Sequence, residues 1–74
     1  MNTYYIESNL KNYFELKGNY RIQEFGATSC ILVDQTFTVS VKAQQVRIRE
    51  MKDEFVSITF KGLHSIEVST TREN

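Results

Sequence analysis

The sequence predicts an α+β domain: an N-terminal helix packed on an antiparallel sheet of five or six strands, short enough to curl toward a small barrel. Three observations carry this. Apolar and polar residues alternate through most of the stretch from Thr36 to Phe60, the period of strands with one buried face. Near the N-terminus the apolar residues recur at helical spacing instead. Gly18, Gly26 and Gly62 fall between the segments so defined, and the chain has no proline.

The helix is expected over residues 3–17. Ile6, Leu10, Tyr13 and Phe14 fall on one stripe, and Glu7, Lys11 and Glu15 lie opposite at spacings of four. Asn2 or Thr3 caps its start, and Gly18 takes the left-handed conformation that ends it. The sheet then runs over about residues 19–69, and residues 70–74 form a polar, frayed tail. Tyr20, Ile22 and Phe25 mark a first strand whose uneven spacing implies a bulge or an early end at Phe25. The unbroken run Cys30-Ile31-Leu32-Val33 suits a strand covered on both sides. A two-residue turn at Asp34-Gln35 points Cys30 and Leu32 inward, whereas a three-residue turn selects Ile31 and Val33.

The next three strands fit one register. A two-residue turn at Ala43-Gln44 sets Val41 opposite Val46 and Val39 opposite Ile48. A three-residue turn at Met51-Lys52-Asp53 sets Ile48 opposite Val56 and Val46 opposite Ile58. Lys61 to Ser65 reads as a further turn, after which Ile66 faces Phe60 and Val68 faces Ile58. A one-residue slip anywhere would turn the apolar set to solvent.

With 74 residues there is room for one domain and one small core. Nine acidic and nine basic residues balance, which excludes a global electrostatic pull toward nucleic acid or anionic membrane. No apolar run approaches the ~20 residues of a membrane helix, and the first residues lack a signal-peptide core. The single cysteine rules out an internal disulfide framework and points to a cytoplasmic location. So small a core gains stability from a second copy or a partner, so a homodimer is expected.

Catalysis needs convergent groups, and the chain offers none at a telling spacing. His64, the lone histidine, sits in the proposed turn without metal-ligand neighbours. Cys30 lies in an apolar run that disfavours the thiolate. Asp53 and Glu54 belong to a solvated turn, and no glycine-rich loop exists to hold a phosphate. The domain also looks too small for a substrate pocket of ~300 Å³ or more. The chain is therefore read as non-enzymatic, with no metal and no cofactor.

Two surface features remain. In the register above, Lys42, Arg47, Arg49 and Lys61 share the polar face of the sheet with Thr38, Ser40, Ser57, Thr59 and Phe55, and Arg49 lies opposite Phe55, where a guanidinium stacks on the ring. Glu67, opposite Thr59 at the edge, dilutes this charge. A plain solvated face carries the same residue types. The second feature is surplus aromatic surface, with Tyr4, Tyr5 and Phe55 left outside the core. Together these nominate Tyr4, Tyr5, Lys42, Arg47, Arg49, Phe55 and Lys61 as partner-binding residues. The function expected is protein binding by surface occlusion or self-assembly, as in a small inhibitor or regulator of a larger assembly. The alternative is a small sheet or barrel that binds single-stranded nucleic acid. A helix followed by a small antiparallel sheet resembles the outline of the Sm-like RNA-binding proteins, although no Sm motif is present.

Overall fold

A computed structural model describes residues 5–71, which form six strands and no helix. The strands are β1 (Tyr5–Ser8), β2 (Tyr13–Lys17), β3 (Arg21–Phe25), β4 (Ser29–Val33), β5 (Phe37–Lys52) and β6 (Phe55–Thr70). They make one open antiparallel sheet in the order β1-β2-β6-β5-β4-β3. The fold is all-β, and the expected α+β class with a helix over residues 3–17 is overturned, together with the Sm-like outline that needed the helix.

The segment read as a helix is the β1–β2 hairpin. Its helical stripe was a coincidence of spacing, because Phe14 and Leu16 also alternate with Tyr13, Glu15 and Lys17. In register Phe14 faces Ile58 and Leu16 faces Val56, and both rings of neighbours leave them fully buried. Leu10, placed on the buried stripe by helical spacing, lies in the connecting loop and is 66% exposed. Tyr4 and residues 72–74 of the expected tail lie outside the described residues, and of Tyr5 only the backbone is described, opposite Lys17.

The second correction concerns the meander. Ala43-Gln44 is not a turn, and neither is Lys61 to Ser65. The chain continues without reversal through both as two 16-residue strands that pair almost end to end. Val41 therefore faces Ile66 and Val39 faces Val68, while Val46 faces Phe60 and Ile48 faces Ile58. Phe55 pairs with Lys52, so the hairpin turn is Asp53-Glu54, with Glu54 at a φ of 65°.

No second layer exists among the described residues, so the sheet has to cover its own apolar face. It does so by bending at an elbow in the middle of β5 and β6. Inward residues of β5 are Val39, Val41 and Ala43 before the elbow, then Val46 and the partly buried Ile48 after it. The phase of the alternation changes between Ala43 and Val46. The N–H groups of these two residues, three apart, donate to neighbouring carbonyls of the β3–β4 turn, Thr28 at 3.0 Å and Ala27 at 2.8 Å. Alternate residues normally point one way, so an extra residue is accommodated here. On β6 the pairing steps from Lys42–Ser65 to Ala43–Leu63, which leaves His64 unopposed.

The bend brings Phe14 and Leu16 of β2 into one buried cluster with Cys30 and Leu32 of β4, Val39, Val41, Ala43 and Val46 of β5, and Val56, Ile58 and Phe60 of β6. Each large side chain removed from water contributes about 1.5–3 kcal/mol. Cys30 and Leu32 point inward, but the turn expected at Asp34-Gln35 lies one residue later, at Gln35-Thr36. Here Asp34 pairs with Phe37, and the Asp34 carboxylate accepts the Thr36 and Phe37 N–H groups at 2.7 Å each.

Gly62 occupies the elbow at a φ of 61°, and a Cβ there would meet the Gln44 side chain at 2.6 Å. Gly62→Ala is expected to lower stability by about 1–2 kcal/mol, measured by urea denaturation; an unchanged midpoint would show that the elbow adapts freely.

Burial pushes the Cys30 thiol up to about 11. The proton is held more tightly in the folded state, so this stability is complete below the ordinary thiol value of 9.0 and is lost as pH rises toward 11. Native Cys30 should resist a maleimide at pH 8 and label quickly in denaturant; rapid native labelling would contradict its burial.

Candidate functional site

The outward side of the β2–β6–β5 half of the sheet carries an open hollow. Because Phe14, Leu16, Val46, Ile58 and Phe60 turn inward, the residues between them turn outward. Tyr13, Thr59 and Arg47 form one row across the three strands, and Gln45 pairs with Lys61 beside it. With Asn12, Glu15 and Arg49 they line an open hollow of about 640 Å³. This exceeds the volume expected of so small a chain, because the hollow is open to solvent and needs no interior cavity.

Arg49 owes its place to a second irregularity. Pairing steps from Ile48–Ile58 to Glu50–Ser57, so Arg49 has no residue opposite it on β6. The neighbouring carboxylate does not neutralise it, since Glu50 is paired with Lys52 at 2.9 Å. Among the described residues none makes an ion pair with Arg47, Arg49 or Lys61. Three cations thus surround the hollow against one carboxylate, Glu15.

At the β2 side the Tyr13 hydroxyl donates to Glu7 Oε2 at 2.9 Å. That bond, together with burial and the nearby Glu7 and Glu15 charges, raises the Tyr13 pKa above its usual 10.0, so Tyr13 remains a neutral donor. The Phe60 N–H donates to the Asn12 carbonyl at 3.0 Å, which ties the β1–β2 loop to the floor of the hollow.

Of the residues nominated from the sequence, the fold gathers Arg47, Arg49 and Lys61. Lys42 pairs with Ser29 and Ser65 on the other half of the bent sheet, away from the hollow. Phe55 keeps the same outward face but pairs with Lys17 and Lys52 at the hairpin end. Arg49 is therefore not opposite Phe55, and the stacked pair expected from the sequence does not form. Glu67 faces Ser40 rather than Thr59. Sequence reasoning missed Asn12, Tyr13, Glu15 and Gln45. The signal for the first three was the alternation around Phe14 and Leu16, with Asn9 and Asn12 as turn residues.

Ser57, between Glu15 and Glu50 in register, is 2% exposed, and its hydroxyl makes no hydrogen bond to a described residue. The longer side chains around it on that face close over it. A buried hydroxyl without a partner keeps its desolvation penalty. Ser57→Ala is therefore expected to raise stability by about 1 kcal/mol in thermal or urea unfolding; a loss of that size would show that the hydroxyl is bonded.

No helix of the described residues is long and apolar enough to cross a membrane, and no group of three or more metal-binding side chains occurs among them. Comparison of the chain with protein-family models, curated proteins and solved structures returns no match.

Proposed function

We propose that the protein is a non-enzymatic binding module that docks an acidic segment of another protein in the hollow on β2, β5 and β6. It acts by occupying that surface, as an inhibitor or regulator of a larger assembly would. The observation that carries this reading is the set of three cations, Arg47, Arg49 and Lys61, that line one hollow with a single carboxylate, Glu15, and make no ion pair with a described residue. Arginine presents a planar fork that takes a carboxylate through two hydrogen bonds, and such bonds strengthen once water is excluded. Asn12, Gln45 and Thr59 add amides and a hydroxyl that can satisfy a peptide backbone. Arginine and tyrosine are also the residue types that dominate protein interfaces. The lining contains no nucleophile beside a base, which favours binding over chemistry. A lone thiol buried in the core fits a reducing, cytoplasmic setting.

One observation favours single-stranded nucleic acid instead. The Tyr13 ring stands in the same cross-strand row as Arg47, offering a stacking surface next to a cation. The protein reading ranks first because a single ring is offered, its hydroxyl is already engaged by Glu7, and the chain carries no net charge.

Both arginines are exposed, so Arg47→Ala with Arg49→Ala should leave the unfolding midpoint unchanged. The same change should weaken retention of a partner from nuclease-treated lysate by on the order of 2 kcal/mol, roughly thirtyfold. A labelled single-stranded DNA and an RNA at low salt should show no anisotropy change. Micromolar binding of either strand, abolished by the double change, would overturn the ranking.

A further inference from the structure

Leu10 has a backbone and a side chain that both run against folding preference. Its φ of 57° lies in the left-handed region, where a branched side chain crowds the following carbonyl and glycine or asparagine is the comfortable choice. Its side chain is 66% exposed, the most of any large apolar residue described. The loop around it is nonetheless pinned. Asn9 Oδ1 accepts the N–H groups of Lys11, Asn12 and Tyr13 at 2.9, 2.9 and 3.1 Å. The Asn9 side-chain amide donates to Asn12 Oδ1 at 2.7 Å. Ser8 Oγ accepts the Leu10 N–H at 2.8 Å and donates to the Tyr13 carbonyl at 2.7 Å.

None of these bonds uses the Leu10 side chain. Position 10 supplies only an N–H, which any residue but proline supplies. The loop would be held as well, and with less strain, by glycine or asparagine. Strained residues persist where surrounding structure fixes them, and they concentrate at recognition sites. Here the fixing groups set where the Leu10 backbone stands. Asn12 and Tyr13 line the basic hollow, and the two residues of chain from Leu10 to Asn12 span at most about 7 Å. The backbone of an exposed apolar residue is thus fixed within about 7 Å of Asn12, which lines the basic hollow. A pre-organised anchor loses little freedom on binding.

We infer that Leu10 is an apolar anchor that inserts into a pocket of the same partner protein, beside the carboxylates taken by Arg47, Arg49 and Lys61. This rests on the docking reading above and specifies the partner's chemistry: an apolar pocket bordered by aspartate or glutamate. A chain that used Leu10 only to hold its own loop would be stabilised by the leucine. A chain that keeps it for binding is strained by it.

Leu10→Asn separates the two. The unfolding midpoint should rise, by roughly 4 °C for each 1 kcal/mol of strain relieved in a domain this size, while partner retention falls at least tenfold. A lower midpoint would make Leu10 a structural residue and overturn the inference. If Leu10→Asn retains the partner fully while the Arg47, Arg49 double change releases it, the anchor is refuted and the docking reading stands. If neither change releases it, both fall. Photo-leucine at position 10 should cross-link to an apolar, acid-flanked segment of the protein that the double change releases. Cross-linking to a second copy of this chain, or to nucleic acid, would overturn the anchor.

Discussion

Everything in this molecule depends on a sheet that must bury its own apolar face. An antiparallel sheet with one apolar side ordinarily packs on a helix layer or a second sheet. Residues 5–71 supply neither, so the burial of Phe14 and Leu16 together with Cys30 and Leu32 requires the open sheet to fold over its own apolar face. The cost falls on the middle of β5 and β6. There the alternation changes phase between Ala43 and Val46, His64 loses its opposite residue, and Gly62 adopts a conformation that other residues resist. Bending at irregularities of this kind preserves most of the ladder hydrogen bonds while redirecting the strands.

The hollow lies on the opposite, polar face of β2, β6 and β5, among side chains that alternate with the inward-facing core residues. That geometry concentrates Arg47, Arg49 and Lys61 while Lys42, on the far half, is separated from them. The bulge at Arg49 and the Glu50–Lys52 pair leave the guanidinium without an ion-pair partner among the described residues. Zero net charge and a basic site are therefore compatible, since the balancing carboxylates are distributed elsewhere. The β1–β2 hairpin contributes one wall and, through its pinned loop, an apolar residue at the rim.

A bent open sheet has free strand edges, which invite pairing with other chains. Each edge here carries a known deterrent. β1 has four residues, β3 holds a bulge between Ile22 and Glu24, and the second half of β5 bears Arg47, Arg49 and Lys52. The second half of β6 carries Lys61, His64 and Glu67. Such edges disfavour strand addition.

Much of the core was legible from alternation alone. Val39, Val41, Val46, Val56, Ile58 and Phe60 turn inward as their spacing implied, because side-chain direction in a strand is a local, period-two property. The cations of the polar face were legible for the same reason. Pairing was not. A phase change between Ala43 and Val46 looks identical whether the chain reverses there or bends and continues. The choice is made by residues 63–70, which pair with residues 37–43 from far along the chain. The N-terminal segment fits both periods, and β6, waiting with an open side for Tyr13 to Lys17, decides for the strand. The sequence by itself thus determined which side chains of the central strands face the core and which carry charge, but not those of residues 6–13. Only the tertiary structure decided which strands meet and which cations share a concavity, because hydrogen bonding between distant strands is set by the whole sheet and leaves no periodic trace in either partner.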